Sequence, residues 1–281
     1  MKVAITGGKG GTGKSTVATS LAVELSRKNK VLLIDADADC PNDHLILSIK
    51  RKKVKDVFQL IPKWDFNKCI KCGKCSLVCK QHAIVFVKGK YPIFIPEQCN
   101  GCRACMFECP TNAILKDKKK VGSIYKGNKK NIDFFSAELE PNQPSSEIVI
   151  NALNNYVKSI KKKYDFVLVD TAAGTHCDVI AALEDSKIAF AVTEPTPLGE
   201  HDLGLILKLL NVLNIKSNVI LNKADINKKN IIKRIANKFN AKIIAEIPYE
   251  KSILKSYSKG EPIKHESIKK IAKMLKNGKT R

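Results

Sequence analysis

Apolar residues along the chain follow two periods. Lys2–Thr6 is a short β-rich run, and after a glycine-rich stretch residues 15–27 place Val17, Ala18, Leu21, Ala22 and Leu25 at helical spacing. Residues 31–34 are continuously apolar and end in Asp35, the pattern of a strand buried on both faces of a parallel sheet. Four more strand candidates follow, at 166–169, 188–192, 218–221 and Lys242–Ile247, each separated from the next by helical sequence. Residues 145–163 predict a helix starting at Ser145 or Ser146 behind Pro144, and 203–213 is apolar nearly all round, as a well-buried helix is. This alternation predicts an α/β fold with a mostly parallel sheet covered by helices on both faces.

The pattern breaks after Lys63. From Trp64 to Leu115 the chain carries short segments, glycines, prolines and eight of its ten cysteines, with no long helix. An internal repeat runs through this stretch. Cys69, Cys72, Cys75, Cys79 and Ala83-Ile84 recur as Cys99, Cys102, Cys105, Cys109 and Ala113-Ile114, always 30 residues on. Two half-modules related by a pseudo-two-fold are expected. The α/β pattern resumes near Val121, so the chain divides into one α/β domain over 1–63 and 116–281 and a small α+β domain inserted at 64–115.

Between the first strand and the first helix, Gly8-Lys9-Gly10-Gly11-Thr12-Gly13-Lys14-Ser15 fits G-x-x-x-x-G-K-[ST] in the context that the motif requires. Glycines let backbone N–H groups curl round phosphate oxygens, and the helix N-terminus adds a positive dipole. Lys14 would reach the β- and γ-phosphates and the Ser15 hydroxyl would ligate Mg²⁺. Asp35 and Asp37 close a strand at the carboxyl edge, where open α/β sheets bind ligands.

Lys9 to Thr16 is similar to the deviant Walker A loop of the MinD/ParA class of P-loop NTPases, which also includes the nitrogenase iron protein, the arsenite-pump ATPase and the Mrp-type cluster carriers. The resemblance implies a nucleotide site built from Gly8, Lys9, Gly10, Gly11, Thr12, Gly13, Lys14, Ser15 and Thr16. Lys9 is then the additional lysine that reaches the phosphates of a partner, which implies an ATP-dependent homodimer; a solvated surface lysine is the alternative. The same resemblance makes Asp37 the residue that orients the attacking water, alongside Lys9 and Lys14 in catalysis. It puts Mg²⁺ with Ser15, Asp35 and Asp170, the last at the end of a Walker B strand. Gly174 occupies the position whose N–H senses γ-phosphate, although Ala173 stands where relatives more often carry proline. Asn222 takes the adenine-contacting position, and Pro248 and Glu250 flank the ribose pocket. Asn222-Lys223-Ala224-Asp225 also matches the guanine-reading motif of GTPases, but the rest of the chain is not GTPase-like, so ATP is expected.

Cys69-x₂-Cys72-x₂-Cys75-x₃-Cys79 and Cys99-x₂-Cys102-x₂-Cys105-x₃-Cys109-Pro110 both fit the bacterial ferredoxin run, whose fourth cysteine ligates the other cluster. One 4Fe–4S cluster is therefore assigned to Cys69, Cys72, Cys75 and Cys109, and a second to Cys99, Cys102, Cys105 and Cys79. Zinc is the competing ligand of C-x₂-C pairs. Lys80 departs from the pattern, because proline is usual after the fourth cysteine. Cys40 and Cys177 lie outside the repeat near the γ-phosphate sensors; they are either packing thiols or, for Cys177 above all, ligands of a metal bridging a dimer. As a whole the chain resembles MinD-superfamily ATPases with an inserted ferredoxin-like domain.

Charge changes this picture little. The formal charge is +23, but only five of the 50 basic residues are arginine, and nucleic-acid readers favour arginine for bidentate contacts. Nucleic acid is not the expected partner, and Lys50-Arg51-Lys52-Lys53, Lys118-Lys119-Lys120 and Lys161-Lys162-Lys163 read as solvated faces and loops. No apolar run approaches the roughly 18–20 residues of a membrane helix, and Met1 leads directly into the first strand with no room for a signal peptide. The expectation is a cytoplasmic protein without a stable membrane anchor. It uses ATP, Mg²⁺ and two clusters to couple a nucleotide cycle to electron transfer toward a redox or metalloprotein partner, in metal-centre maturation or activation. A cluster assembly or carrier ATPase is the alternative, and a positioning switch of the MinD kind is a weaker one.

Overall fold

The apolar runs form the centre of one large sheet, seen in a computed structural model that describes residues 1–278. The chain opens with β1 (Lys2–Thr6), α1 (Lys14–Ser26), β2 (Val31–Ala36) and the one-turn α2 (Asp43–Ile46). A long arm, β3 (Lys52–Trp64), leads out to α3 (Lys74–Leu77), β4 (Ile84–Val85), β5 (Ile93–Phe94) and α4 (Ala104–Phe107), and β6 (Ile114–Lys129) returns. β7 (Ile132–Leu139), α5 (Glu147–Lys158), β8 (Phe166–Thr171), α6 (Cys177–Leu183), β9 (Ile188–Thr193) and α7 (Pro197–Val212) follow. The chain closes with β10 (Lys216–Asn222), α8 (Asn230–Lys238), β11 (Lys242–Ile247), α9 (Lys251–Ser258) and α10 (Glu266–Asn277).

The nine strands lie in the order β11-β10-β9-β1-β8-β2-β7-β6-β3, parallel from β11 to β7 and antiparallel from β7 outward. Successive side chains of a strand point to opposite faces, and both faces are covered. Val3, Ile5, Leu33, Leu168 and Phe190 pack on α1 and α10, while Ala4, Ala189, Ala191, Val219 and Leu221 meet α6, α7 and α8. Leu32, Ile34, Phe135, Ala137 and Val169 form a third cluster with α5. Each Val, Leu, Ile or Phe among them contributes about 1.5–3 kcal/mol by burial, so the central strands anchor everything attached to their ends. Ile268, Ile271 and Leu275 form an apolar stripe on the basic helix α10 and are buried in the first cluster. Among the described residues no helix is long and apolar enough to cross a membrane.

The outer part of the sheet differs from expectation. Lys50 and Arg51 do lie in a connecting loop, but Lys52 and Lys53 begin β3, and Lys118–Lys120 sit mid-strand in β6, paired with Phe58–Leu60. Much of β3 is exposed, and register shifts at Lys53/Lys55 and Val57/Phe58 break its two-residue period. Lysine-rich, bulged strands are what a sheet edge requires to resist pairing with another chain. They also erase the apolar alternation by which a strand is read. At α5, Ser146 occupies the cap position but its hydroxyl donates to Asp178 Oδ2 (3.0 Å), while Ser145 Oγ accepts from the Glu147 amide (3.3 Å).

The segment between β3 and β6 reproduces the sequence repeat in its backbone. Left-handed residues recur 30 apart, at Lys71 and Gly101, Gly73 and Arg103, and His82 and Asn112. The two halves are crossed: Ile95 N donates to Ala83 O (2.8 Å), and Asp65 N donates to Ala113 O (2.8 Å), so the entry of each half bonds the exit of the other. Likewise Ile84 pairs with Phe94 and Trp64 with Ile114, and the Trp64 and Phe94 rings meet at 5.5 Å. The turn after Cys79, closed by His82 N to Cys79 O (3.0 Å), matches the one after Cys109, so Lys80 in place of proline leaves the turn unchanged.

The segment is fastened to the arm. Gln59 Nε2 donates to Cys99 O, and Gly101 packs so closely that a Cβ there would lie 2.8 Å from Leu60 O, at a φ of +77°. Gly101→Ala should therefore lower stability by about 1–3 kcal/mol, read as a drop in the melting temperature of anaerobically prepared protein. Gly89→Ala, whose Cβ would meet nothing within 4 Å although its φ is also positive, is the control and should cost less.

Candidate functional site

The glycine loop turns between β1 and α1 because two residues accept left-handed backbone: Gly11 at φ +76° and Gly13 at φ +97°. Gly13 serves as the cap of α1, whose first turn contains no acid to compete for an anion. Space is short beneath the loop and free above it. A Cβ on Gly8 would lie 2.3 Å from Asp202 O and one on Gly13 2.3 Å from Asn222 Nδ2, whereas Gly10 and Gly11 meet nothing within 4 Å. That open side is where backbone N–H groups can take a phosphate chain. Lys14, the first residue of α1, is buried and its Nζ donates to Lys9 O (3.3 Å) across the loop. Ser15 and Thr16 follow on the same turn, with the Ser15 hydroxyl against Asp170.

Adjacent strands bring the acids together. β2 and β8 pair with Asp35 opposite Asp170, so two carboxylates stand side by side beyond the carboxyl edge, both buried. Asp35 Oδ1 accepts from Asp37 N (3.2 Å) and Oδ2 from Asp43 N (3.1 Å), while Asp37 Oδ1 accepts from Cys40 N (3.2 Å). Burial pushes the Asp170 carboxyl up to about 7 against the pull of Ser15 and Lys14. Burial and the Asp170 charge raise Asp35 well above the carboxylate range, and burial raises Asp37 in spite of the Cys40 amide and Lys14.

A third buried acid, Asp43, joins them. Oxygens of Asp35, Asp43 and Asp170 lie within 4.8 Å of one another, which makes this the one such group of potential metal ligands among the described residues. Two unit charges about 4 Å apart at an effective dielectric of ~20 repel by roughly 4 kcal/mol. Three ionised carboxylates at this spacing therefore need a cation or a proton. Sequence reasoning missed Asp43, since nothing in Pro41-Asn42-Asp43-His44 marks it; the chain reversal after β2, closed by Asp43 N on Asp35 Oδ2, brings it in.

Lys9 is held within its own chain: Nζ bonds Glu194 Oε1 at 2.5 Å, and Lys223 Nζ bonds Oε2 of the same carboxylate at 3.0 Å. Burial alone would raise Glu194, but these two lysines hold it below its ordinary value. Glu194 was also missed, although it follows the carboxyl end of β9, where the edge rule would have found it. Gly174, at φ +98°, donates its N–H to Gly7 O (3.1 Å). Asn222 Nδ2 donates to Thr12 O (2.8 Å), bracing the loop. Pro248 and Glu250 flank Tyr249, whose amide donates to Asp225 Oδ1 (2.7 Å), so the 222–225 and 248–250 loops meet. Cys40 and Cys177 are exposed thiols, and neither belongs to a group of three close ligand atoms among the described residues.

The other eight cysteines line two cavities. Cys69, Cys72, Cys75 and Cys109 surround one with Trp64 and Ile114; Cys79, Cys99, Cys102 and Cys105 surround the other with Ile84 and Phe94. The crossed backbone thus sends the fourth cysteine of each run to the other half's cavity. Amides aim at the sulfurs, Gly101 N at Cys99 Sγ (3.4 Å) and Ala113 N at Cys109 Sγ (3.3 Å). Burial raises the Cys75, Cys99 and Cys105 thiols, Cys105 to about 11, whereas at Cys109 the Ala113 and Thr111 donors outweigh burial and lower it. A tetrahedral zinc with bonds near 2.3 Å needs sulfurs only about 3.8 Å apart. No three of these sulfurs come within 4.8 Å of one another, a wider spacing than a single tetrahedral zinc requires.

The profile of the CobQ/CobB/MinD/ParA nucleotide binding domain matches residues 3–263. An uncharacterised protein of Methanocaldococcus jannaschii is 33% identical over 279 residues, covering 99% of this chain and 97% of that protein. A ferredoxin of the same organism is 44% identical over 63 residues, covering 20% of this chain and 82% of its own length. Among solved structures, the septum site-determining protein MinD of Pyrococcus horikoshii, complexed with Mg-ADP, superposes with a TM-score of 0.61 at 20% identity, covering 98% of this chain and 95% of that one.

Gly13→Ala strains the loop at φ +97° and drives a Cβ into Asn222. At about 1–3 kcal/mol of strain, nucleotide affinity by calorimetry should fall roughly 5- to 150-fold, with the thiol segment unaffected. A pH effect follows from Asp170. Its proton is held below about pH 7 and must leave when a cation is bound. Mg²⁺·nucleotide binding should release more protons at pH 6.5 than at pH 8.5, as calorimetry in buffers of different ionisation enthalpy would show.

Proposed function

The chain belongs to the CobQ/CobB/MinD/ParA nucleotide-binding family, and from that premise we propose that it is an ATP-hydrolysing iron–sulfur protein. Its nucleotide cycle is coupled to electron transfer from two 4Fe–4S clusters, in the service of metal-centre maturation or activation. The observation that carries this reading is the pair of crossed four-thiol cavities mounted on the same sheet as the glycine loop.

On the nucleotide side, the amides of residues 8–16 and Lys14 take the phosphates, and Ser15, Asp35 and Asp170 supply oxygen to Mg²⁺. Asp37, with one oxygen committed to the Cys40 amide, has the other to orient water. Lys9 must leave Glu194 to reach a second copy of the chain in an ATP-dependent homodimer, and Gly174 must release Gly7 O to meet a γ-phosphate. Bound clusters would supply one-electron redox centres, each held by four thiolates.

Coupling has a continuous physical route. Leu139 N donates to Ala38 O (2.9 Å), which ties the loop after Asp37 to the end of β7. β7 pairs with β6, β6 with β3, and Gln59 of β3 holds the Cys99 carbonyl. A shift of the 37–42 loop on nucleotide binding is thereby passed to one cavity wall through hydrogen bonds. The carrier reading needs a labile site apart from these eight thiols, and Cys40 and Cys177 do not assemble one within a single chain.

Anaerobic protein should hold about eight irons per chain. Potentiometry in the apo, ADP and non-hydrolysable ATP states should show a shift in at least one cluster. A coupling of about 1–3 kcal/mol corresponds to roughly 40–130 mV for one electron. Potentials unchanged by nucleotide, with the irons in place, would mean that the two parts are merely tethered, and Lys14→Ala should abolish any shift.

A further inference from the structure

The reading above gives Mg²⁺ to Ser15, Asp35 and Asp170 as a companion of the nucleotide. Asp43 has no place in it, and among the described residues it is the buried carboxylate with both oxygens unpartnered. It is fully buried, and neither carboxylate oxygen has a hydrogen-bond partner. Buried polar groups are almost always paired, and a buried charge must be compensated. The groups facing Asp43 are further acids: Asp35 and Asp170, within 4.8 Å, with Asp170 Oδ1 equally buried and unpartnered. Asp35 spends one lone pair of each oxygen on an amide and retains the others. The nearby ammonium of Lys14 is turned to the Lys9 carbonyl.

We propose that Asp35, Asp43 and Asp170 form an inner divalent-cation site that is filled in the absence of nucleotide, so that the protein carries one Mg²⁺ or Mn²⁺ per chain before ATP arrives. Three carboxylate oxygens are a hard donor set, suited to Mg²⁺, Mn²⁺ or Ca²⁺ and unsuited to the softer metals that thiolates select. A cation compensates all three carboxylates at once, the unpartnered Asp43 and Asp170 among them, whereas one shared proton joins a single pair and leaves the third carboxylate alone. A nucleotide-borne Mg²⁺ brings phosphate oxygens as ligands. Here the chain itself supplies the anionic ligands, and Ser15, facing Asp170 from the loop side, is an added ligand only once phosphate is present. The site does not depend on the ATPase reading, since its three ligands lie on β2, α2 and β8 beneath the loop rather than in it.

The test uses full-length, anaerobically prepared protein, stripped with EDTA and desalted without nucleotide. Mn²⁺ is titrated in, and the free ion is counted by its room-temperature EPR signal. The wild type should bind one Mn²⁺ per chain. Asp43→Asn, which keeps the shape and removes one charge, should weaken that binding by about tenfold or more, equivalent to about 1.4 kcal/mol or more. Lys14→Ala, which removes nucleotide binding and also a cation that competes beside Asp170, should still bind one Mn²⁺ per chain without nucleotide, at least as tightly as the wild type. Lys14→Ala thus separates a failure of the nucleotide reading from a failure of this one. Wild-type protein that binds no Mn²⁺ below millimolar concentration without nucleotide overturns the proposal, and so does an Asp43→Asn variant that binds as tightly as wild type. The three carboxyls would then be sharing protons.

Discussion

Asp35 and Asp170 face each other across β2 and β8, two buried carboxylates brought into register by the central strands of a parallel sheet. Placing like charges side by side out of water is unfavourable, and much of the architecture around them answers that. Amides of Asp37 and Asp43 point at Asp35, the first turn of α1 brings Lys14 and Ser15 to the same edge, and glycines at 11 and 13 let the preceding loop fold over it. The same concentration of negative charge that opposes the cation-free state is what, in the reading proposed above, suits the edge to a divalent metal. It is a site whose stability and whose ligand are the same problem.

The thiol segment solves a comparable problem by symmetry. Eight cysteines close together would repel as thiolates, and burial raises three of their thiols. The crossed bonds Asp65 N to Ala113 O and Ile95 N to Ala83 O interlock the halves, so each cavity draws three sulfurs from one run and the fourth from the other. Neither half can close a cavity without its counterpart. Beyond this shared design, the segment rests on an exposed two-stranded arm whose lysines suit a sheet edge.

Between the two sites runs backbone hydrogen bonding rather than a flexible linker. The loop after Asp37 is bonded to β7, and β7 leads through β6 and β3 to the Cys99 loop. In the proposed reading, a displacement at the carboxyl edge would pass from the parallel core to the antiparallel arm along this route. Glu194 adds a second constraint, since it holds Lys9 and Lys223 together and must give Lys9 up for any contact with another copy.

What the sequence determined by itself was everything encoded in local pattern. The glycine loop, the strands ending in Asp35 and Asp170, the parallel α/β core and the 30-residue repeat all depend on spacing within one element or between neighbouring ones. The ferredoxin-type run also carries an expectation of crossed grouping, and the two cavities are each lined by three cysteines of one run and the fourth of the other. Tertiary structure decided the rest. β3 and the outer part of β6 look like solvated lysine runs because a largely exposed two-stranded arm at the sheet edge has no reason to alternate. Asp43 resembles any polar residue at the start of a short helix until a turn slides it beneath β2, and Glu194 acquires its two lysines only when residues 9, 194 and 223 converge. Long-range electrostatics leaves no periodic trace along a chain, since the groups that compensate a buried charge are chosen by folding and not by proximity in sequence.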